Sequence, residues 1–353
     1  MPFNLIVIAI PPFKTFSFIH DKSNEYYKFA MKENNTLMKF RILALALFCL
    51  GSTVLAAQVK THEVETEYQK GKQEIRVLLP DDYRKTSAYR VLYVLPVERG
   101  FRSRFGFGLG VLKELNAHNR YDLIIVQMGF EKEPWFGDHA TDPEVRQASY
   151  MKEFVVPFIE KNYSTVGTPE GRLLFGFSKS GWGAFSLILK YPEVFGYAAA
   201  WDAPLAWTTF RFGMKGVYGT SDQLALYRPD LLIPKQKRFF DKKARLVLTG
   251  HKLWGNETVQ THELLDKEGL KHQYDNTLVS THRWGKSWME PTLSALISLT
   301  NEESSKREPS PAGDVLKAAP EEQRSVKNGC RESGSRSHQS IPESPVVLIN
   351  PPD

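Results

Sequence analysis

Short apolar runs of strand length alternate along the chain with longer segments of helical periodicity. The strand-like runs cover residues 73–79, 89–95, 122–128, 172–175, 196–201, 244–249 and 273–279. The helix-like segments cover residues 151–163, 182–190 and 259–269, and a final helix follows residue 288. Strands separated by helices predict a doubly wound, mostly parallel sheet with helices on both faces. We expect a functional site in the loops at the carboxyl ends of its strands.

The two ends of the chain differ from this central pattern. Met38 begins a short basic stretch, an apolar run over residues 42–55 and two small residues, which together predict a signal peptide within a leader of residues 1–57. An uncleaved membrane anchor is the alternative interpretation. Residues 302–353 are rich in Ser, Pro and charged residues and predict a disordered tail. One domain over residues 58–301 remains.

Charge and cysteine content narrow the functional classes. The net charge of +6 is scattered and forms no basic block with interleaved aromatic residues, so nucleic-acid binding is not expected. The two cysteines, Cys49 and Cys330, both lie outside the predicted domain. This excludes disulfides, thiol catalysis and Cys-ligated zinc within it. We expect a periplasmic or secreted protein that meets a membrane only through an uncleaved leader.

The most informative motif lies where a predicted strand turns directly into a predicted helix. Residues 176–180 read G-F-S-K-S, a nucleophile elbow of the form G-x-S-x-G in which Ser180 replaces the last glycine. Such a turn strains and exposes the central serine beside free backbone N–H groups. If Ser180 were the nucleophile, Trp182 would occupy a position that must be small. Ser178 is therefore the predicted nucleophile.

The surrounding sequence carries a family resemblance. Residues 171–204 read G-R-L-L-F-G-F-S-K-S-G-W-G-A-F-S-L-I-L-K-Y-P-E-V-F-G-Y-A-A-A-W-D-A-P. This resembles the α/β-hydrolase family that includes esterase D, feruloyl and acetyl-xylan esterases, and the mycolyltransferases. The elbow helix ends in Y-P-E-V-F, similar to the family's Tyr/His-Pro-x-x-Phe, and a strand follows at once. The resemblance covers roughly residues 72–300 and implies an α/β-hydrolase fold and serine esterase chemistry.

An activated serine needs a histidine base, and that histidine needs an orienting carboxylate. Residues 280–288, S-T-H-R-W-G-K-S-W, resemble the family's Gly-x-His-x-Trp-x-x-Trp segment, which implies that His282 is the base. For His262 and His272, we expect ordinary positions on a solvated helix or at a strand edge. The acid is ambiguous. Asp202, directly after a strand, is the first candidate, and Glu257 is the alternative.

The oxyanion hole departs from the family pattern. One donor is expected to be the N–H of Lys179, the residue after the nucleophile. The second normally comes from the loop after residue 95, where the family has His-Gly and this chain has Pro96. Proline has no N–H, so Val97 or Glu98 is expected to donate. Glu98 would bring a negative side chain near a developing oxyanion.

Tryptophans concentrate in the second half of the chain, and several fall on the predicted site loops. Trp182, Trp207 and Trp254 are candidate substrate contacts, with core or lid packing as the alternative. We interpret the protein as an exported serine esterase that acts through an acyl-enzyme on a small-molecule or carbohydrate-linked ester. No metal or organic cofactor is implied. The alternatives are an acyltransferase and a non-catalytic binding protein on the same fold.

Overall fold

A single sheet organises the domain in a computed structural model that describes residues 59–304. Within this range the sheet has eight strands in the order β1-β2-β4-β3-β5-β6-β7-β8. The strands are β1 Val59–Thr66, β2 Gln69–Leu78, β3 Arg90–Val94, β4 Leu123–Met128, β5 Arg172–Phe177, β6 Tyr197–Trp201, β7 Leu246–His251 and β8 His272–Val279. Strand β2 pairs antiparallel with both β1 and β4, and the other five pairs are parallel. The predicted mostly parallel sheet is confirmed.

Helices flank the sheet and connect its strands. They are α1 Gly108–Glu114, α2 Ala117–Arg120, α3 Gln147–Ser149, α4 Val156–Asn162, α5 Ser178–Lys190, α6 Lys215–Tyr218, α7 Ser221–Ala225, α8 Pro229–Leu232, α9 Lys237–Phe240, α10 Gly255–Glu268 and α11 Lys286–Ser304. A π-helical stretch, Tyr150–Val155, joins α3 to α4, and single 3-10 turns lie at Pro169–Gly171 and Ile233–Lys235. Helix α5 therefore starts at the residue that follows β5.

The core has two layers, one on each face of the sheet. One layer packs α5, α4 and the α6 to α9 segment against the inward side chains of the strands, and it contains Trp182, Tyr218 and Phe136. The other layer packs α11 and α1 against the opposite face, around Phe177 and Trp288. Neighbouring strand residues point to opposite faces, so a strand buried on both faces reads as a continuous apolar run. That is why β4 and β5 were recognisable from sequence.

The structure of β1 and of residues 105–110 differs from what the sequence pattern predicts. Strand β1 was not expected, because its residues are mostly polar and, apart from the buried Val64, exposed or half-buried. Residues 105–110 read F-G-F-G-L-G, a glycine-rich pattern that predicts a flexible loop at the rim of the site, but residues 108–110 form the start of α1. The predicted leader 1–57, with its signal peptide at Met38, lies outside the described residues, and so does the tail beyond Ser304. Within residues 59–304, no helix is long and apolar enough to cross a membrane.

Candidate active site

The elbow at Ser178 has the strained backbone that the motif predicts. Ser178 has a φ of 52°, a left-handed conformation that non-glycine residues rarely adopt and that costs about 1–3 kcal/mol. The turn is held because the N–H of Ser178 donates to the carbonyl of Asp202 at 3.2 Å. Ser178 is buried except for 8% of its surface. The strain directs its hydroxyl out of the sheet at the carboxyl end of β5.

Ser180 explains how the elbow tolerates a serine in place of glycine. Its hydroxyl donates to the carbonyl of Phe177 at 2.8 Å and accepts from the N–H of the same residue at 3.0 Å. Gly176 cannot be replaced in the same way, since a Cβ there would lie 2.5 Å from the backbone carbonyl of Ser180. The substituted position thus closes the turn with its own hydrogen bonds.

Asp202 and His282 form a close pair at the carboxyl ends of two strands. Nδ1 of His282 lies 2.5 Å from Oδ2 of Asp202. The parallel register pairs Phe177 with Trp201, so the residues that follow, Ser178 and Asp202, emerge side by side. The Nδ1–carboxylate bond leaves the opposite ring nitrogen, Nε2, available on the other side of His282. Both His282 and Ser178 line one cleft.

Backbone donors hold the Asp202 carboxylate in its charged form. The group is fully buried and accepts from the N–H groups of Lys252, Leu253 and Trp254 at 2.8 to 3.1 Å. Burial by itself raises the pKa of Asp202. The hydrogen bond with His282 and those from the β7–α10 loop outweigh burial and leave the pKa below its usual value.

Glu257, the alternative acid, is engaged elsewhere. It lies in the first turn of α10, and its Oε1 accepts from the indole N–H of Trp207 at 3.3 Å. The β7–α10 loop, which leads to Glu257, supplies the three N–H donors for the first candidate acid, Asp202. Of the two candidate carboxylates, Asp202 is the one that His282 contacts.

Of the three expected oxyanion donors, Val97 and Lys179 lie at the cleft and Glu98 does not. Val97 and Lys179 both line the cleft beside Ser178. Lys179 is the second residue of α5, so its N–H has no acceptor within the helix. Glu98 does not line the cleft, and its carboxylate pairs with Arg104 at 3.3 Å. The Lys179 ammonium pairs with Glu133 and is thereby held in one orientation.

The cleft in front of Ser178 is small and mainly apolar, and five of its twelve lining residues are Phe or Trp. Its volume is about 180 Å³. The lining residues are Val97, Arg104, Phe105, Trp135, Ser178, Lys179, Pro204, Trp207, Phe212, Leu253, Trp254 and His282. The hydrophobic residues Phe212 and Leu253 are 68% and 57% exposed, so the apolar lining continues onto the outer surface.

The three candidate tryptophans do not have the same environment. Trp207 and Trp254 line the cleft, edge to face, with ring centroids 4.8 Å apart. The indole N–H of Trp254 is buried without a hydrogen-bond partner among the described residues. Trp182 is fully buried in the core, where its N–H donates to the Tyr218 hydroxyl at 3.1 Å. The structure therefore corrects the expectation for Trp182, which packs beneath the site and does not line it.

Three aromatic residues of the cleft lining, Phe105, Trp135 and Phe212, were not among the predicted site residues. Trp135 comes from the loop after β4 and packs against Trp207 at 6.0 Å between centroids. Phe105 contacts the His282 ring edge to face at 5.9 Å, and its carbonyl accepts from the N–H of Trp284 at 2.8 Å. The Gly-rich run was expected to rim the site, which was the only signal for Phe105. No sequence signal pointed to Trp135 or Phe212.

Comparisons with known proteins bear on the family and the fold of the chain. The family model described as "Putative esterase" matches residues 66–286. A curated esterase of Mycobacterium tuberculosis is 31% identical over 137 residues, which cover 37% of this chain and 29% of that protein. The chain thus matches less than a third of the length of that relative.

Solved structures share the fold at low sequence identity. A ferulic acid esterase superposes with a TM-score of 0.55 at 18% identity, over 69% of this chain and 98% of that one. A fluorophosphonate-binding serine hydrolase of Staphylococcus aureus superposes with a TM-score of 0.56 at 14% identity, over 69% and 99%. The family match extends over more than half of the sequence and includes Ser178, Asp202 and His282. The chain therefore belongs to this esterase family and has the α/β-hydrolase fold of carboxylic ester hydrolases.

Proposed function

We propose that the protein is an exported serine esterase that hydrolyses a carboxylic ester through an acyl-enzyme. The observation that carries the proposal is the 2.5 Å contact between His282 and Asp202, with His282 and Ser178 lining the same cleft. A buried carboxylate, an imidazole and a strained serine are the three parts of a nucleophilic triad.

In the first half-reaction the Ser178 hydroxyl attacks the ester carbonyl carbon and its proton passes to Nε2 of His282. Asp202 keeps the other nitrogen, Nδ1, protonated and stabilises the imidazolium that forms. The tetrahedral intermediate then collapses, the ester C–O bond breaks, and His282 returns the proton to the leaving alcohol. The acyl group remains on Ser178.

In the second half-reaction a water molecule attacks the acyl-enzyme and transfers its proton to His282. Collapse of this second intermediate releases the carboxylic acid, and the proton returns to Ser178. The backbone N–H groups of Val97 and Lys179 are the proposed oxyanion donors in both halves. The ion pair between Glu98 and Arg104 supports this assignment, because it partly neutralises the only carboxylate of the loop after β3.

The cleft favours a small or flat acyl group. A lining of Trp135, Trp207 and Trp254 offers apolar surface and ring faces, and the volume of about 180 Å³ suits a short acyl chain or a single aromatic ring. The exposed apolar rim, with Phe212 and Leu253, offers a surface for the alcohol part of the ester. A small-molecule or carbohydrate-linked ester fits this division.

The decisive experiment compares wild type with Ser178→Ala in hydrolysis of p-nitrophenyl acetate, using the full chain. We expect a loss of at least about 1,000-fold in kcat/KM, with unchanged far-ultraviolet circular dichroism. Ser186→Ala is the matched control, since this serine is buried in the same helix and its hydroxyl bonds the Tyr227 carbonyl at 2.7 Å. Equal activity of Ser178→Ala and wild type would overturn the serine mechanism.

A fluorophosphonate probe separates the esterase from a binding protein. Labelling of wild type, and none of Ser178→Ala, is expected of an active serine. A folded wild type that is neither labelled nor active would instead favour a binding function. Export is tested separately, by N-terminal sequencing of the protein recovered outside the cytoplasm. A mature protein that starts near residue 58 is expected, whereas retention of Met38 would indicate an anchor.

A further inference from the structure

We propose that His262, Asp266 and His272 form a binding site for a divalent transition-metal ion, with zinc as the expected ion. The three side chains come from α10 and from the first residue of β8. One ligand atom of each lies within 4.8 Å of the others. Two imidazoles and a carboxylate are a donor set that zinc binds in proteins, with a fourth position for water.

The two histidines already face each other. Nδ1 of His262 lies 2.8 Å from Nε2 of His272, and the carboxylate of Asp266 lies 3.5 Å from His262 Nε2 and 3.9 Å from His272 Nε2. His262 and Asp266 are one helical turn apart, so they share a face of α10. The third ligand, His272, comes from β8, so a bound ion would link the helix to the sheet.

The surroundings orient both rings. Nδ1 of His272 lies 2.9 Å from the carbonyl oxygen of Leu270. Since a carbonyl can only accept, Nδ1 carries the proton and Nε2 presents its lone pair to the cluster. This is the arrangement by which proteins fix a metal-binding histidine. Tyr274 stacks on His262 with ring centroids 3.8 Å apart, which limits rotation of that ring.

Metal binding requires only a small rearrangement. In the metal-free state His262 Nδ1–H donates to His272 Nε2. An ion takes the place of that proton, the His262 ring changes tautomer so that Nε2 carries the proton, and the two nitrogens separate to about 3.3 Å for tetrahedral coordination with Zn–N bonds of about 2.0 Å. The separation needed is about half an ångström. Asp266 is 64% exposed, so its side chain can rotate to complete the site.

The site is distinct from the catalytic cleft. His272 pairs with Leu246 at the amino ends of β8 and β7, whereas Ser178 stands at the carboxyl end of the sheet. An ion here would join the end of α10 to the edge strand β8. The amino end of α10, far from the metal ligands His262 and Asp266, follows Trp254, whose N–H donates to Asp202. The metal is therefore expected to stabilise the domain and not to take part in ester cleavage.

The test measures zinc binding to the untagged full chain by isothermal titration calorimetry and by the shift in Tm with zinc chloride. Cobalt chloride serves as a spectroscopic probe, because visible absorption bands distinguish tetrahedral coordination. The variants are His262→Gln, His272→Gln and Asp266→Asn. His62→Gln is the matched control. His62 lies on β1 at the opposite edge of the sheet and is bonded to the Tyr163 hydroxyl at 2.6 Å.

Wild type and His62→Gln are expected to bind one zinc ion at this site and to gain Tm with zinc. The variants His262→Gln, His272→Gln and Asp266→Asn should each bind zinc at least about tenfold more weakly and lose the Tm shift and the cobalt bands. Asp266→Asn changes only an exposed side chain, so it keeps the test valid if a histidine variant misfolds. Equal zinc affinity in wild type and Asp266→Asn, or no binding in either, would overturn the proposal.

Discussion

Nδ1 of His282 lies 2.5 Å from Oδ2 of Asp202, although the two residues are 80 positions apart in the chain. Asp202 also accepts three backbone N–H groups from the β7–α10 loop. One carboxylate thus connects the ends of β6 and β7 to the loop that carries the histidine. Asp202 contacts His282, whereas the other candidate acid, Glu257, accepts from the Trp207 indole, so the two carboxylates should differ in their effect on catalysis.

Replacing Asp202 by Asn should lower kcat/KM by about 1,000-fold or more, because the amide cannot stabilise an imidazolium and favours the wrong histidine tautomer. Glu257→Gln is the comparison variant. Among residues 59–304 its carboxylate bonds only the Trp207 indole, so we expect a change of less than about tenfold. Steady-state hydrolysis of p-nitrophenyl acetate measures both. A larger loss in Glu257→Gln than in Asp202→Asn would reverse the assignment.

Stability should depend on pH through Asp202. Its pKa is lowered in the folded protein, so the charged carboxylate stabilises the fold above the unfolded-state pKa of about 3.9. This contribution disappears as the pH falls through the still lower folded-state pKa. The difference in unfolding free energy between wild type and Asp202→Asn should therefore be constant from about pH 7 to pH 5 and shrink below about pH 4. Urea denaturation at each pH measures it, and parallel curves would contradict the interpretation.

The loop after β3 offers a test of the oxyanion hole. Val97→Pro removes one backbone N–H and should lower kcat by about 100-fold or more, with little change in KM. Glu98→Gln keeps every backbone donor and breaks only the pair with Arg104, so it should change kcat by less than about threefold. Val97→Ala controls for the altered side chain. If Val97→Pro retains full kcat, the second donor lies elsewhere.

The aromatic lining should govern substrate affinity. Trp254→Leu keeps the backbone N–H that binds Asp202 and removes an aromatic wall of the cleft, so KM for aryl esters should rise by about three- to tenfold. Trp182→Phe is the contrast, because that residue is buried beneath the site. It should lower Tm and leave KM nearly unchanged. A rise in KM for Trp182→Phe equal to that for Trp254→Leu would show that packing, and not direct contact, sets the affinity.

Much of the fold could be predicted from sequence, because the type of each strand or helix depends on the polar and apolar pattern of residues adjacent in the chain. Continuous apolar runs marked β3 to β7, and the G-F-S-K-S turn placed Ser178 between a strand and a helix. The edge strand β1 escaped notice because one of its faces carries exposed polar residues. The choice between Asp202 and Glu257 also stayed open, since both follow strands that end at the same edge of the sheet.

The sequence alone determined the α/β-hydrolase fold, the family and the candidates Ser178 and His282, because each rests on residues adjacent in the chain. Only the tertiary structure decided that Asp202 meets His282, that Trp182 is core, and that His262 and His272 face each other. Those relations depend on parallel strand register and on helix packing across the sheet, which bring together residues far apart in sequence. The pattern of polar and apolar residues specifies on which face of its own helix or strand a residue lies. The residues that it contacts on that face belong to other helices and strands, and only the tertiary fold determines which they are.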